Sequence, residues 1–303
     1  MLTIDFLKYR YASAVFSALI FLSLIGAYVY KYQTRNGEPF NYSVDFTGGI
    51  QVQFRFEKPV TGEQLIKILE GKGWSGVAVR EFSPTEQVVR VKLDKMAEDV
   101  KGESETMREA LQAALGDNKV SVEQTDSVGS GMGSTLRSKS IYAVVLSLIL
   151  ILFYIAVRFW SFAFAMGAVV SLFHDAIVVF LAFLITDKEI SMSVVGAILT
   201  VLGYSINDTI VVFSRVRENI KKHADMPIYD VINLSINETL RRTILTTFAT
   251  TLVVIALFIF GGDILRDLSL ALLIGIVFGI YSTLYIANPV LLMLYKKQKR
   301  SAV

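Results

Sequence analysis

The chain has no cysteine and only two histidines, His174 and His223, among its 303 residues. The first absence excludes disulfides, thiolate metal sites and a cysteine nucleophile, and the second argues against a metal site built from histidines. The formal net charge of +3 is too small to indicate a nucleic-acid partner. No nucleophile–base pair or cluster of metal ligands stands out, so we expect no enzymatic activity, no catalytic residue, no metal and no cofactor.

Apolar residues, in contrast, make up 53% of the chain, and the mean hydropathy is +0.52. Soluble domains usually contain ~45–50% apolar residues and have much shorter apolar runs. A transmembrane helix needs about 20 mainly apolar residues. The sequence contains six runs long enough to span, at residues 11–30, 141–157, 162–185, 191–213, 243–262 and 268–295. It therefore predicts a polytopic α-helical membrane protein with six transmembrane helices.

The first run, residues 11–30, could also be interpreted as a signal peptide. It is longer than the usual apolar core of a signal peptide, and Tyr28, Tyr30 and Tyr32 lie at its end in place of a small-residue cleavage site. Tyrosine is enriched at membrane–water interfaces. We therefore interpret the run as an uncleaved first transmembrane helix.

Basic residues predict the orientation of the helices, because they concentrate in cytoplasmic loops. If residues 1–10 are cytoplasmic, the short external loops contain only Lys188 and Arg266. The cytoplasmic segments then contain Lys8, Arg10, Arg158, Arg215, Arg217, Lys221, Lys222, Arg241, Arg242, Lys296, Lys297, Lys299 and Arg300. The prediction is a multi-pass protein with both termini in the cytoplasm and residues 31–136 outside it.

Residues 31–136 contain no run that could span a membrane. Residues 51–56 alternate polar and apolar side chains, as a half-buried strand does. Apolar positions at helical spacing, each followed by a glycine stop signal, predict helices over residues 61–71 and 104–115. Further strands are predicted at residues 77–82, 87–93 and 119–124. The order strand–helix–strand–strand–helix–strand predicts a small α+β domain of the split-βαβ, ferredoxin-like type.

Two connecting segments complete the predicted map. Residues 128–133 are rich in glycine and serine and are interpreted as a flexible connector or hinge that leads into the membrane domain, residues 137–303. They do not form a phosphate-binding loop, because no Gly-Lys-Ser/Thr follows. Residues 214–242 interleave apolar and charged positions, which predicts an amphipathic helix lying along the cytoplasmic membrane surface.

The fourth apolar run contains Asn207 and Asp208 well inside it. An aspartate inside a spanning helix costs ~2.5–3.5 kcal/mol on insertion scales, so it usually faces a partner or a water-filled path. At 1.5 Å per residue, Asp208 lies ~10 Å in from Arg215 at the cytoplasmic edge. Thr200 and Tyr204 precede Asp208 at four-residue spacing. Asp208 is a candidate for proton binding, and the alternative is a structural charge that neutralises a neighbouring arginine.

Arg242, at the start of the fifth run, is the best partner for Asp208. Thr246 and Thr250 follow it on the same helix face and could support a hydrogen-bonded or hydrated path beside Asp208. The alternative is that Arg242 extends to the membrane interface and that the threonines serve only helix packing.

In the third run, His174 and Asp175 are adjacent and point ~100° apart. A structural hydrogen bond to a neighbouring helix and a proton relay both remain open for them. In the last run, Gly275 and Gly279 form a GxxxG match, which is typical of close helix packing. Pro289, after Asn288, predicts a kink or a frayed end.

Four segments carry a family resemblance. They are VDFTGG at residues 44–49, with Asp45, Phe46, Gly48 and Gly49, then GYSINDTIVV at 203–212, RVREN at 215–219 and ETLRRT at 238–243. Together with the His174-Asp175 pair and the topology, these segments resemble the signatures of the SecF family of protein-export membrane proteins, which is part of the SecD/SecF family and the RND superfamily. The resemblance covers essentially the whole chain.

The resemblance implies half of an RND-type transporter, whose six helices pair with six from SecD in the cell inner membrane. It implies use of the proton-motive force to promote preprotein export after the ATP-driven motor has acted. The implied partners are SecD, the SecYEG translocon, YajC, YidC, the translocating preprotein and membrane lipid. The family's proton-pathway residues map onto Asp208 and Arg242, with Thr246 in support. The residues themselves, apart from the resemblance, give Asn207, His174, Asp175 and Thr250 as secondary candidates.

Two other functions remain open at this point. One is a subunit of a proton-driven RND-type efflux system for small solutes, which would need a pocket for a lipophilic ligand in the external domain. The other is an assembly scaffold without ion coupling. The coupling ion, H⁺ or Na⁺, is also open, because no residue of the sequence decides it.

Overall fold

The computed structural model describes residues 4–35, 37–74, 77–91, 100–128 and 130–301. The strands are β1 (Asn41–Tyr42), β2 (Gly49–Phe56), β3 (Ala78–Ser83), β4 (Glu86–Val91), β5 (Val120–Val128) and β6 (Glu189–Ile190). The helices are α1 (Arg10–Thr34), α2 (Val44–Thr47), α3 (Gly62–Gly71), α4 (Val100–Leu115), α5 (Ser130–Phe159), α6 (Phe162–Thr186), α7 (Met192–Lys222), α8 (Ile228–Phe260), α9 (Gly262–Ser282) and α10 (Asn288–Ser301). A 3₁₀ turn, Leu7–Tyr9, precedes α1, and a π-helical segment, Thr283–Ala287, joins α9 to α10.

The chain forms two compact units, one of residues 42–141 and the other of the residues before and after them. In the part of the chain that is described, six helical stretches are long and apolar enough to cross a membrane. They are Leu7–Thr34, Met132–Phe159, Phe162–Thr186, Met192–Lys222, Ile228–Phe260 and Leu265–Tyr295. The predicted six-helix membrane protein is confirmed. The predicted location of residues 31–136 outside the cytoplasm stays a prediction.

The membrane unit is built around α6 and α7, which have the largest buried fraction of its spanning helices. Helix α7 packs against α6, α8 and α9. Glycines allow the closest approach: a Cβ atom added at Gly275 would lie 2.3 Å from Val201 Cγ2, and one at Gly279 would lie 3.2 Å from Ser205 Cβ. The GxxxG pair therefore brings α9 against α7, as predicted for a packing motif.

At one end of the bundle, Asp187, the residue that follows α6, forms ion pairs with two residues at the end of α1. Its carboxylate accepts hydrogen bonds from Lys31 Nζ at 3.1 Å and from both Nη atoms of Arg35, the first at 2.7 Å. The two cations, Arg35 foremost, lower the pKa of Asp187, and the carboxylate in turn raises the pKa of Arg35. Because the Asp187 side chain is 45% exposed, water screens this contact and it contributes little stability.

The other unit is an antiparallel sheet of order β3–β4–β2–β5 with two helices. Because β4 lies between β2 and β3, the unit β2–α3–β3 is a split βαβ motif, and β4–α4–β5 completes the ferredoxin-like arrangement. This confirms the predicted α+β class. Strand β4 begins at Glu86, and residues 92 and 93 of the predicted strand lie outside the described residues. Strand β5 continues to Val128, beyond the predicted end at residue 124.

One side of this sheet forms the core of the unit. Ile50, Val52, Phe54 and Phe56 alternate along β2, and each is at most 2% exposed. They pack with apolar residues of α3 and α4, namely Leu65, Leu69, Met107 and Leu111. The two-residue alternation predicted this buried face of β2, and the helical spacing predicted the inward faces of α3 and α4.

The predicted amphipathic surface helix over residues 214–242 is wrong. Helix α7 continues to Lys222 and α8 begins at Ile228, so only residues 223–227 connect two helices that form a hairpin. Apolar positions of this segment are buried in protein, since Val231, Ile232 and Ile236 are at most 1% exposed. The physical reason is that the polar residues of both helix ends bond to one another, as described below.

The predicted flexible connector at residues 128–133 is also wrong for its described part. Strand β5 ends at Val128, Gly129 lies outside the described residues, and residues 130–133 form the first turn of α5. Gly133 packs against backbone: an added Cβ atom would lie 2.8 Å from Gly48 N and 3.0 Å from Phe46 C. Gly133 therefore permits close packing of α5. The high glycine content of residues 128–133 had instead indicated flexibility.

Before Pro289 the structure has the π-helical segment Thr283–Ala287, and the helix then continues as α10 instead of fraying, while the predicted kink stays a prediction. Proline lacks the N–H that would continue the α-helical hydrogen bonds, which favours such a local widening. Asn288 compensates in part, because its Nδ2 donates a hydrogen bond of 2.7 Å to the Thr283 carbonyl oxygen.

Candidate functional site

Asp208 lies in the interior of the membrane unit, where its side chain is buried and the whole residue is 6% exposed. It belongs to the middle part of α7, and the hydroxyl of Thr247 on α8 donates a hydrogen bond to Asp208 Oδ2 at 3.3 Å. Thr247 is 3% exposed. Buried apolar residues of the same helix, Leu202, Ile206 and Val212, pack this part of α7 into the bundle, so the carboxylate is fixed among packed helices. The arrangement can bind a proton where water is largely excluded.

Arg242 lies one turn before this contact on α8 and is exposed in this chain. Its charge acts on the Asp208 carboxylate, although the described contacts of Asp208 include no ion pair with it. Thr246 is also exposed, and its hydroxyl donates to the carbonyl oxygens of Arg242 and Thr243, each at 3.0 Å. The residue beside Asp208 is therefore Thr247, the next position along α8, and the roles predicted for Arg242 and Thr246 stay predictions.

A second contact joins α7 and α8 one turn further along. Tyr204 donates a hydrogen bond of 3.1 Å from its hydroxyl to Thr250 Oγ1. Asn207 lies on the exposed side of α7, next to Gly203, and no hydrogen bond of its side chain to Asp208 occurs among the described residues. Of the predicted face Thr200, Tyr204 and Asp208, the last two meet α8, while Thr200 bonds to the carbonyl oxygen of Gly196 in its own helix.

The ends of α7 and α8 are joined by a polar cluster. Asn219, fully buried, donates from Nδ2 to Ser235 Oγ at 3.0 Å and to Glu238 Oε2 at 2.7 Å. Arg215 Nε donates to the same Glu238 oxygen at 2.6 Å. This cluster unites two of the motifs on which the resemblance rests, RVREN and ETLRRT. Sequence reasoning did not assign it a role, although the charged residues inside otherwise apolar helices were the available signal.

His174 and Asp175 lie at the middle of α6 and are 1% and 0% exposed. Ser205 of α7 donates a hydrogen bond of 2.6 Å to Asp175 Oδ2. The other carboxylate oxygen, Oδ1, is 3.7 Å from His174 Nδ1. Oδ1 and both imidazole nitrogens are without a hydrogen-bond partner among the described residues. This pair is separate from Asp208, whose described contact is with α8.

The VDFTGG motif forms the short helix α2 and the turn into β2. Gly48 has φ +73° and Gly49 has φ +116°, a region that side chains with a Cβ atom avoid. Gly48 N donates to the Val44 carbonyl oxygen at 2.8 Å, while Phe46 is buried and Ser43 Oγ donates to Asp45 Oδ2 at 3.1 Å. The positive φ angles account for the two glycines, and the close approach of Gly133 to this backbone accounts for the glycine at position 133, so the motif has a structural explanation.

Comparison with known proteins agrees with these features. The family model for the C-terminal part of the protein export membrane proteins SecD/SecF matches residues 107–297, and the model for the SecD/SecF GG motif matches residues 37–60. The SecF protein translocase subunit of Thermodesulfovibrio yellowstonii is 38% identical over 97% of this chain and 95% of its own length. The SecF subunit of Vibrio alginolyticus is 37% identical over 96% of this chain and 90% of its own length.

A solved structure also matches this fold over nearly the whole chain. The crystal structure of SecDF, a translocon-associated membrane protein from Thermus thermophilus, aligns with a TM-score of 0.81 and 33% identity. The alignment covers 95% of this chain and 38% of that protein. Six spanning helices and a ferredoxin-like unit that follows the first of them define the chain as half of an RND-type membrane transporter. It belongs to the SecD/SecF family of protein-export membrane proteins, and its relatives over nearly the full length are SecF subunits of protein translocases.

Proposed function

We propose that this chain pairs with SecD in the cell inner membrane and uses the proton-motive force to promote preprotein export through the SecYEG translocon. The Thermus thermophilus relative SecDF contains the region equivalent to this chain within a much longer protein, and this supports SecD as the partner. The distribution of basic residues supports cytoplasmic termini and an external ferredoxin-like unit. The proposed role is transport and involves no chemical reaction on the preprotein.

The observation that carries the proposal is the buried carboxylate of Asp208. A charge in this position is costly unless it is compensated, and its described compensation is one hydroxyl, from Thr247, and the field of Arg242. Deprotonated Asp208 attracts Arg242 and accepts from Thr247. Protonated Asp208 loses its attraction for Arg242, so α8 is free to change its packing against α7.

The membrane potential can drive such a change. One elementary charge that crosses 100 mV gains ~2.3 kcal/mol, which corresponds to a roughly fifty-fold shift between two states. A shift of that size is sufficient to bias the packing of α7 and α8 in one direction. The motion would pass to the external unit, which would bind and release the emerging preprotein.

The test is preprotein translocation into vesicles that contain the translocon and the SecD partner, with or without this chain. We expect a proton gradient to increase the completed translocation only when this chain is present, and a protonophore to remove the increase. A sodium gradient of equal size should have no effect. Stimulation by sodium alone would contradict proton coupling, while leaving a Sec role in place.

Two outcomes would contradict the proposal as a whole. Gradient-driven loss of a lipophilic dye from the vesicles, without an effect on translocation, would indicate a small-solute efflux subunit. A fall in the amount of assembled SecD without this chain, together with translocation that never responds to a gradient, would indicate an assembly scaffold.

The neighbouring threonines of α8 provide a matched pair of variants. Thr247→Val should lower gradient-driven translocation by about ten-fold or more, because a hydrogen bond to a charged group contributes ~1.5–3 kcal/mol. Thr246→Val should change it little in this chain, because the Thr246 hydroxyl bonds to its own helix. Both replacements are isosteric, and the rate of gradient-driven translocation at constant ATP is the measurement. Loss of coupling in Thr246→Val alone would contradict the arrangement.

A further inference from the structure

A second pair of buried ionisable groups lies in the same bundle and takes no part in the function proposed above. His174 and Asp175 are at most 1% exposed, and they are adjacent on α6. Both imidazole nitrogens and Asp175 Oδ1 are buried with no hydrogen-bond partner in the described structure. A structural histidine in a helix bundle usually donates to a neighbour, and a structural carboxylate usually has both oxygens satisfied. The imidazole nitrogens and Asp175 Oδ1 depart from this pattern, although Ser282 of α9 also faces the carboxylate.

The side chains that face the His174 imidazole are aromatic and come from two other helices. From α1, Phe21 faces the imidazole at 6.1 Å between ring centroids, and from α9, Phe278 and Tyr281 face it at 6.5 and 5.8 Å. From α7, Ser205 bonds to the carboxylate. The titratable group in contact with the pair is thus Tyr281, whose hydroxyl is engaged with Ser13 and Ser17 of α1.

The cost of a net charge in this buried site limits the number of protons that His174 and Asp175 can bind together. An aspartate without a proton beside a neutral histidine would leave one unpaired negative charge in an apolar cage, and two protons would leave a positive one. One proton gives no net charge, either as carboxylic acid with neutral imidazole or as carboxylate with imidazolium. The two forms interconvert when the proton moves between Oδ1 and Nδ1, which are 3.7 Å apart and need a small side-chain rotation to meet.

We propose that His174 and Asp175 form a second proton-binding site, which retains one proton between them while α6 is packed against α1 and α9 and which exchanges it only when that packing opens. The site is distinct from Asp208, and it stands whether or not Asp208 couples to a gradient.

The pair is connected to the rest of the bundle through Ser205. Ser205 donates a hydrogen bond of 2.6 Å to Asp175, and this bond weakens when the carboxylate is protonated, because bonds to an ionised acceptor are the stronger ones. One turn later on α7, the Thr209 hydroxyl bonds to the Ser205 carbonyl oxygen and pairs at 2.9 Å with Thr283, the first residue of the π-helical segment. Such segments occur often at functional sites. Protonation at α6 can therefore alter the α7 turn that also carries Asp208.

The test uses the full chain in complex with its SecD partner in lipid nanodiscs. His223→Gln, outside the bundle, leaves His174 as the chain's single histidine, so ¹⁵N signals from an isotope-labelled chain report its protonation directly. Infrared spectra of the carboxylic-acid carbonyl report Asp175. We expect the two signals to account for one proton between about pH 5 and 8. In Asp175→Asn, His174 should be neutral throughout this range, since an imidazolium would have no counter-charge.

His174→Gln provides the second variant, in case Asp175→Asn does not fold. It should leave Asp175 protonated, with a carboxylic-acid band whose exchange in D₂O is slow because the site is closed. A His174 signal that titrates equally in the presence and absence of Asp175 would overturn the proposal, as would a deprotonated Asp175 in His174→Gln. Neither readout depends on translocation, so failure of the proposed export function would be recognised separately.

Discussion

Asp208→Asn is expected to reduce gradient-driven preprotein translocation to the level seen without a gradient, while the ATP-driven component continues. The amide keeps the size of the carboxylate and still accepts a hydrogen bond from Thr247, so the packing of α7 and α8 is preserved. What it loses is the ability to gain and release a proton, and with it the charge that attracts Arg242. On the estimate of ~2.3 kcal/mol per charge in 100 mV, the lost bias is roughly fifty-fold.

The matched control for this variant is Asn207→Ala. Asn207 is the preceding residue of the same helix, but it is exposed, and no hydrogen bond joins its side chain to Asp208 among the described residues. We expect normal gradient-driven translocation in this variant. Asp208→Glu should retain part of the coupling, because it keeps a carboxylic acid in the same surroundings.

Protein abundance separates a coupling role from a structural one. Removing a buried charge without leaving a cavity should not destabilise the chain, so Asp208→Asn should accumulate and assemble with SecD at the normal level. If its abundance fell sharply while proton flux through the remaining complex was unchanged, Asp208 would be a structural charge. Translocation that still responded to the gradient would contradict the proposed mechanism directly.

The fold was largely predictable because its main determinants are local. Six apolar runs of spanning length had to become helices in a bilayer, where every backbone polar group needs an internal partner. Along β2, the alternation of Ile50, Val52, Phe54 and Phe56 could bury one face only as a strand. The order of these elements then left the split βαβ arrangement as the natural way to cover one side of the sheet.

The rotation of each helix about its own axis was not predictable in the same way. Successive residues on a helix point ~100° apart, so Thr246 and Thr247 differ by more than a quarter turn. The sequence indicated that α8 presents threonines near Asp208, but the choice between them depends on packing against α7 and α9. The structure directs Thr247 inward and Thr246 outward, which no periodicity of the α8 sequence specified.

Long-range polar contacts account for the two segments that were predicted wrongly. The charged residues of segment 214–242 indicated a membrane surface, but Glu238 of α8 accepts hydrogen bonds from both Arg215 and Asn219 of α7 across the hairpin. The glycines before α5 indicated flexibility, but Gly133 lies against the backbone of Gly48, 85 residues earlier in the chain. In both cases the partner is distant in sequence, so composition alone favours the wrong explanation.

Gly275→Leu should prevent the membrane unit from folding properly, because α7 and α9 approach each other closely at this position. An added Cβ atom would lie 2.3, 2.5 and 2.9 Å from Val201 Cγ2, Cγ1 and Cβ. Valine cannot rotate away easily, since its χ1 is restricted in a helix. Overpacking of a core usually costs ~1–3 kcal/mol, and a whole leucine side chain at this distance should exceed that range.

The same substitution at Gly26 is the control, since a Cβ atom there would meet no described residue within 4 Å. Gly26→Leu removes a glycine from the spanning helix α1 and adds an equal volume, so it matches the change in helix propensity and hydrophobicity. The fraction of monodisperse protein after extraction and the midpoint of its thermal unfolding are the measurements. Equal midpoints in the two variants would show that α9 can shift away from Val201. Gly275 would then not be the reason that α7, which carries Asp208 and Ser205, can pack closely against α9.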